Sequence, residues 1–184
     1  YDANRAVQTS DYLSVTRSAT QGRELLWPEY MTTVPVFIEI GEPMHARFLP
    51  EIRAGLKQWE EATRGRLRFQ ETGEPPEVGI YIRFKPGPLF HQLENVGHAS
   101  FNLEEADSSR LERMKVNITL NTGVPEDGLG NEYRKAQVAR LALHELGHAI
   151  GIWGHSANPG DIMFTRPIVS SLSQRDLSTI RRLY

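Results

Sequence analysis

Three histidines towards the C-terminal end of the chain are spaced as ligands of one metal ion. His144 and His148 are four residues apart, and His155 follows after a glycine at position 151. On a helix, residues four apart lie one turn apart on the same face, so both imidazoles can reach a single ion. Gly151 can take a left-handed turn that most residues resist, which would bring His155 back as a third ligand. Three neutral imidazoles favour zinc and leave its fourth position open for water, which is the catalytic arrangement.

Glu145 projects from the same helical turn, in a position to contact a zinc-bound water without binding the ion. The charge of the ion lowers the pKa of such a water to about 7. The carboxylate can take a proton as the water attacks a peptide carbonyl, and then deliver it to the leaving amine. The pattern therefore predicts a zinc-dependent endopeptidase with one catalytic zinc and a protein or peptide substrate.

A short His-Glu-x-x-His pattern also arises by chance, so its context decides how it is interpreted. Here Gly151 and His155 fall at the required offsets, and the segment has helical periodicity. Two other functions are compatible with the same residues: a zinc- or peptide-binding module without activity, and a protease held latent by its own leader. The presence of Glu145 argues against the inactive module.

Length and composition suit one domain of ordinary character. The chain has 184 residues, of which 39% are hydrophobic and 24% charged, with a net charge of −2. This charge gives no reason to expect nucleic acid as a partner, and no apolar run approaches the ~20 residues that span a bilayer. The absence of cysteine excludes disulfides and thiolate metal sites. No signal peptide is visible at Tyr1, so we expect that the chain has been processed.

The surrounding sequence contains elements that could position the histidines. Apolar residues alternate in short segments, which predicts strands, and residues 132–150 have the spacing of a long helix. The predicted strands cover residues 34–40, 67–70, 78–84, 96–101 and 116–120. A helix is predicted from Pro50 to Gly65, and a C-terminal helix from Ser173, where Ser173 and Asp176 have capping-box spacing. Strands and helices mix without strict alternation, so the predicted fold class is α+β.

The residues around the histidines resemble the metzincin clan of zinc proteases and, within it, the matrixins, the family of matrix metalloproteases. Asp161-Ile162-Met163-Phe164 resembles the methionine turn of the clan, in which Met163 would pack beneath the histidines without binding metal. Residues 172–177 resemble the start of the last matrixin helix, where Asp176 would support that turn. The resemblance covers residues 35–184. Thr165 stands where astacin-like and serralysin-like proteins have tyrosine, which argues against those relatives.

This resemblance implies a fold, a cellular location and an oligomeric state. The fold would be a metzincin catalytic domain: a twisted, mostly parallel sheet with an antiparallel edge strand, an active-site helix and a C-terminal helix. The protein would be a secreted or extracytoplasmic monomer. Animal matrixins also bind structural zinc and calcium in the loop before the active-site helix. Here His98 resembles one ligand position, but His91 and Glu94 do not have the family spacing, so we expect neither structural zinc nor calcium.

The resemblance also indicates where substrate would lie. An extended peptide would add to the edge strand by backbone hydrogen bonds, along Gly97, His98, Ala99 and Ser100. In matrixins, the pocket beside the zinc is bounded by the residue four before the first histidine and by the segment after the methionine turn. Here these are Arg140 and residues 165–168, which include Pro167. Arginine at this offset would shorten the pocket and favour medium aliphatic residues after the scissile bond, unless Arg140 faces solvent.

Residues 1–29 are polar and weakly periodic, and we interpret them as a leader or arm before a catalytic domain of residues 30–184. One short helix could lie within this segment. Matrixins are often kept latent by a leader side chain that occupies the open zinc position. Without cysteine, Asp2 and Asp11 are the candidates for this role, because zinc also binds carboxylate oxygen. The alternative is that the segment packs on the domain surface or stays mobile.

Overall fold

A computed structural model of the protein describes residues 10–22, 25–87, 97–104, 113–123 and 128–184. These residues form five strands, four α-helices and a short 3-10 helix. In chain order the elements are α1 (Leu13–Ala19), β1 (Thr33–Ile38), the 3-10 helix (Pro43–Phe48), α2 (Leu49–Ala62), β2 (Arg68–Glu71), β3 (Gly79–Lys85), β4 (Gly97–Glu104), β5 (Arg113–Asn121), α3 (Asn131–Ala149) and α4 (Gln174–Leu183). The predicted α+β class is confirmed.

The five strands form one sheet in the order β2-β1-β3-β5-β4. Neighbouring strands among the first four are parallel, whereas β4 runs antiparallel to β5 and lies at the edge. The inward-facing residues Val34, Val36, Ile80, Ile82 and Ile118 are fully buried, as their alternation along the sequence predicts. The predicted mostly parallel sheet with an antiparallel edge strand is therefore confirmed.

Helix α2 has a proline in its first turn, where the missing N–H of Pro50 removes no helical hydrogen bond. Ile52, Leu56 and Trp59 form its buried face and contribute to the core beneath the sheet. The indole N–H of Trp59 donates a hydrogen bond of 2.9 Å to the carbonyl of Leu143 in α3. This bond fixes α2 against the helix that carries the metal-binding motif.

Helix α3 is the central helix of the fold. All nine residues from 141 to 149 are buried, so the C-terminal half of the helix is enclosed on every side. This half contains His144 and His148. The helix ends at Ala149. Gly151, two residues further on, has a φ of 112° in the left-handed region, and its N–H donates a hydrogen bond to the carbonyl of His148. The predicted helix and its glycine stop are confirmed.

Helix α4 begins with the predicted capping box. The Ser173 hydroxyl accepts a hydrogen bond from the Asp176 N–H, and the Asp176 side chain accepts one from the Ser173 N–H. Asp176 is completely buried. Beyond the cap, its side chain accepts hydrogen bonds from the Tyr12 hydroxyl and from the Ile162 N–H.

The described residues before β1 pack onto the domain. Tyr12 and Trp27 belong to the hydrophobic core, and the expected short helix is present as α1. Asp11 pairs with Arg182 of α4 at 2.6 Å. Among the described residues, no helix is both long enough and apolar enough to cross a membrane.

Candidate zinc site

The three histidines converge on one point. His144 and His148 project from α3, and the turn at Gly151 returns the chain so that His155 faces them. The ring centroids are 4.8 Å apart for His144 and His148, 5.2 Å for His144 and His155, and 5.0 Å for His148 and His155. One nitrogen from each ring lies within 4.8 Å of the other two. The structure thus brings together the three predicted ligands.

Backbone carbonyls fix the tautomer of two of these rings. His144 Nδ1 lies 2.8 Å from the carbonyl oxygen of Ile162, and His148 Nδ1 lies 2.5 Å from that of Ile152. A carbonyl can only accept, so both Nδ1 atoms carry the proton and both Nε2 atoms present a lone pair. This second hydrogen bond is the usual way that proteins orient a metal-binding histidine.

Burial favours the neutral form of His144 and His155, which is the form that binds metal. It lowers the pKa of His144 to about 4 and also lowers the pKa of His155. The Nε2 atoms of His148 and His155 are 3.3 Å apart. Three converging imidazoles, two of them oriented by backbone carbonyls, are a donor set that fits zinc and leaves a coordination position free.

Glu145 lies beside the histidines on the same turn of α3 and is only 5% exposed. Burial raises the pKa of its carboxyl group to about 8, while a hydrogen bond from the Ala99 N–H acts in the opposite direction. Ala99 belongs to the edge strand β4. Glu145 therefore connects the metal-binding helix to the strand along which a substrate is expected.

Met163 packs directly beneath the helix that carries the ligands. It is completely buried, and a Cβ placed on Gly147 would lie 2.4 Å from its sulfur. The Met163 carbonyl accepts a hydrogen bond of 2.8 Å from the N–H of Ser156, the residue after the third histidine. Sequence reasoning assigned no role to Gly147, although its absent side chain is what allows this close approach.

The comparison with known families agrees with this geometry. A family model described as Matrixin matches residues 42–184, which is most of the chain. The chain belongs to the matrixin family. It is therefore a zinc-dependent metalloendopeptidase that acts on peptide substrates, and the three-histidine cluster is compatible with the catalytic zinc of a matrixin. A search of curated proteins gives no match.

A buried carboxylate that the sequence analysis did not assign organises the loop between the last ligand and α4. Asp161 is 1% exposed and accepts hydrogen bonds from Ser156 Oγ at 2.5 Å, Ser173 Oγ at 2.7 Å and Arg175 Nε at 3.0 Å. Arg175 thus neutralises Asp161 in this matrixin. Only the three-dimensional structure reveals this ion pair, because Asp161 lies in the loop after His155 and Arg175 lies in α4.

The predicted substrate-binding residues lie in two places. Gly97, His98 and Ser100 are in β4, but their side chains lie outside the described part of the structure, as do the whole residues His91 and Glu94. Arg140 is half-buried on α3, and its Nε is buried with no hydrogen-bond partner among the described residues. Pro167 is buried, whereas Ile168 is 54% exposed.

Of the two candidate latency residues, one can be placed. Asp11 uses both carboxylate oxygens away from the histidines: Oδ1 accepts from the Leu13 N–H at 3.0 Å, and Oδ2 from Arg182 at 2.6 Å. In this conformation Asp11 anchors α1 to α4 and does not reach the metal-binding nitrogens. Asp2 lies outside the described residues.

Proposed function

We propose that this matrixin hydrolyses internal peptide bonds of extended protein substrates with Glu145 as the general base. The observation that supports this role is the position of Glu145. It is buried beside His144 and His148 on one helical turn, and it accepts a hydrogen bond from Ala99 in the edge strand. The carboxylate thus stands between the metal-binding nitrogens and the strand that would hold the substrate.

His144, His148 and His155 would hold the zinc ion. When bound, zinc would act as a Lewis acid that polarises a peptide carbonyl and lowers the pKa of water to about 7. Glu145 must be ionised to act as a base, and the charge of a bound zinc ion would favour the carboxylate against the effect of burial. Glu145 then takes a proton from the attacking water and passes it to the leaving amine, because the leaving nitrogen must be protonated as the C–N bond breaks. The hydrogen bonds from Nδ1 of His144 and His148 to backbone carbonyls hold both rings in place throughout this proton transfer.

The substrate would add as a further strand to β4. One side of β4 pairs with β5, and β4 is the terminal strand of the sheet, so its other edge offers backbone groups for an extended peptide. Gly97, His98, Ala99 and Ser100 would supply these groups. Backbone pairing accepts many sequences, so selectivity would come from the pocket formed by Arg140 and Pro167, which we expect to favour medium aliphatic residues.

Two further assignments follow from family membership. We assign Met163 to the methionine turn of the clan, which agrees with its complete burial under Gly147. We also propose that the protein acts outside the cytoplasm as a monomer, as the resemblance implies, with one catalytic zinc and without structural zinc or calcium.

Replacement of Glu145 by Gln tests the mechanism. We expect cleavage of a quenched-fluorescence peptide to fall by about two to four orders of magnitude, the usual contribution of a general base. Zinc content and thermal stability should stay close to those of the wild type, since the three ligands remain. Glu132→Gln is a matched control, because Glu132 lies on the same helix with its side chain 88% exposed, and it should retain full activity.

Two other outcomes would contradict the proposal. Near-native turnover by Glu145→Gln would remove Glu145 from the mechanism. A wild-type protein that binds zinc but cleaves no peptide would contradict the proposed activity of this chain, and would fit either the inactive binding module or the latent protease considered above. Removal of zinc by a chelator should abolish activity, and added zinc should restore it.

A further inference from the structure

The N-terminal segment, defined as residues 10–22 and 25–27, contacts the supports of the zinc ligands at two places. Tyr12 at one end is 3% exposed and lies against α4. Trp27 at the other end is 2% exposed and lies against the end of α3. Neither residue touches the metal-binding nitrogens in the contacts described above. Both are bonded to groups that determine where those nitrogens lie.

A continuous series of hydrogen bonds leads from Tyr12 to His144. The Tyr12 hydroxyl donates to Asp176 Oδ1 at 2.5 Å, and Asp176 Oδ2 accepts from the Ile162 N–H at 3.0 Å. The carbonyl of Ile162 in turn accepts from His144 Nδ1 at 2.8 Å. We call these bonds the Tyr12–His144 path. Asp176 is completely buried, so the bond from Tyr12 to Oδ1 is made out of contact with solvent.

The same segment also supports the turn that leads to His155. The indole N–H of Trp27 donates to the carbonyl of Ala149 at 3.0 Å, and Trp153 donates to the carbonyl of Leu25 at 3.4 Å. A Cβ on Gly154 would lie 2.8 Å from the backbone oxygen of Val15, so α1 presses directly on the residue before the ligand. The segment therefore encloses the loop from Ile150 to Gly154.

We infer that Tyr12 is a positioning residue for the zinc ligand His144, and that the N-terminal segment is a structural part of the metal site. The inference rests on the three-histidine zinc site and does not depend on the role of Glu145. Without the Tyr12 hydroxyl, the Asp176 carboxylate keeps the bonds from the Ser173 and Ile162 N–H groups to Oδ2 but loses the bond that holds Oδ1. The carboxylate that holds the Ile162 peptide, and through it the acceptor that orients His144, is then less tightly constrained.

Tyr12→Phe removes the hydroxyl group alone and is the most direct test. Loss of an outer hydrogen-bond partner of a metal ligand typically weakens metal binding about 10–100-fold. Tyr12 acts through two intervening groups, so we expect the low end of this range, a rise of about tenfold in the zinc dissociation constant. The measurement is competition with a chromogenic chelator at a temperature where the protein is fully folded. At saturating zinc, KM should remain unchanged because Tyr12 does not contact substrate.

Three control variants separate positioning from general stability. Tyr30→Phe removes a phenol that is 73% exposed and should bind zinc as the wild type does. Val36→Ala creates a cavity in β1, away from the Tyr12–His144 path, and should lower the melting temperature without changing zinc affinity. In the double variant Tyr12→Phe/Asp176→Asn, affinity should be no weaker than in Asp176→Asn alone, because both changes interrupt one path.

An unchanged zinc dissociation constant in folded Tyr12→Phe would overturn the inference, as would an equal loss of affinity in Val36→Ala. If Tyr12→Phe does not fold, Asp11→Asn loosens the same segment more gently by releasing Arg182. It should weaken zinc binding by a smaller factor, and an unchanged affinity there would likewise contradict the inference. Failure of Glu145→Gln to lose activity would affect the proposed mechanism but not these binding results.

Discussion

Gly147 occupies a place in α3 where its neighbours leave no space for a methyl group. A Cβ there would lie 2.4 Å from Met163 Sδ and 2.9 Å from Trp59 Cζ2. Both neighbours are fully buried, and the bond from the Trp59 indole to Leu143 fixes that ring. Gly147→Ala must therefore displace the packing directly beneath the zinc ligands.

The expected loss of stability follows from two opposing effects. An extra methyl group in a well-packed core typically costs about 1–3 kcal/mol, and two contacts this short place Gly147→Ala near about 3 kcal/mol. Alanine favours a helix over glycine by about 1 kcal/mol, which offsets part of this cost. The net loss in the free energy of unfolding is about 2 kcal/mol. For a chain of this length, that corresponds to a fall in Tm of about 4–8 °C.

Thermal unfolding of the zinc-free protein, followed by circular dichroism, measures this loss without a contribution from metal binding. Gly55→Ala in α2 is the matched control. Its Cβ would meet one side-chain end, Leu146 Cδ1, at 3.2 Å, so its Tm should lie close to that of the wild type. If Gly147→Ala melts no lower than Gly55→Ala, the close packing of Met163 under α3 does not limit stability and the reasoning is wrong.

Two more predictions concern the substrate pocket and the acid sensitivity of the fold. Arg140→Ala should shift the profile of a peptide library towards larger side chains after the scissile bond. Arg68→Ala, an exposed arginine in β2 at the sheet edge opposite β4, is the control; an unchanged profile for Arg140→Ala would remove Arg140 from the pocket. The hydrogen bond from the Leu13 N–H and, to a smaller extent, Arg182 hold the pKa of Asp11 below its usual 3.8. The ionised Asp11 side chain therefore contributes its full stabilisation of the fold above pH 3.8. This stabilisation is lost as the pH falls through the lowered pKa. Asp11→Asn should therefore be less stable than the wild type in urea at pH 7 and equally stable in strong acid, whereas a deficit independent of pH would contradict this explanation.

Local patterns predicted most elements of this matrixin and are also the basis for proposing the zinc ligands, because both depend on spacing along the chain. The histidines at 144, 148 and 155 and the capping box at Ser173 are examples. The same rules were less reliable at boundaries: Ile40 continues the apolar alternation of β1, but it lies outside the strand and is 41% exposed. There the chain has passed the edge of the core, and packing no longer selects the extended conformation.

The supports of the site could not be predicted in this way. Tyr12 and Asp176 are separated by 164 positions in the sequence, and no periodicity relates them. The role of Asp161 was missed for the same reason, since its partner Arg175 belongs to another element. Residue type indicates only that a buried phenol or carboxylate must have a hydrogen-bond partner. Which partner it finds depends on how α1, α4 and the loop after His155 pack together.

Because the C-terminal half of α3 is enclosed, the positions that tolerate substitution in this protein lie apart from those that do not. The proposed ligands His144 and His148 and the proposed base Glu145 lie in a stretch that is also buried in the core. If they have these roles, most substitutions there would damage catalysis and folding together. Thr165, Arg166 and Ile168, beside the proposed pocket, are exposed. Laboratory evolution of new cleavage preferences can therefore randomise residues 165–168, apart from the buried Pro167, while the hydrolytic centre is inherited intact.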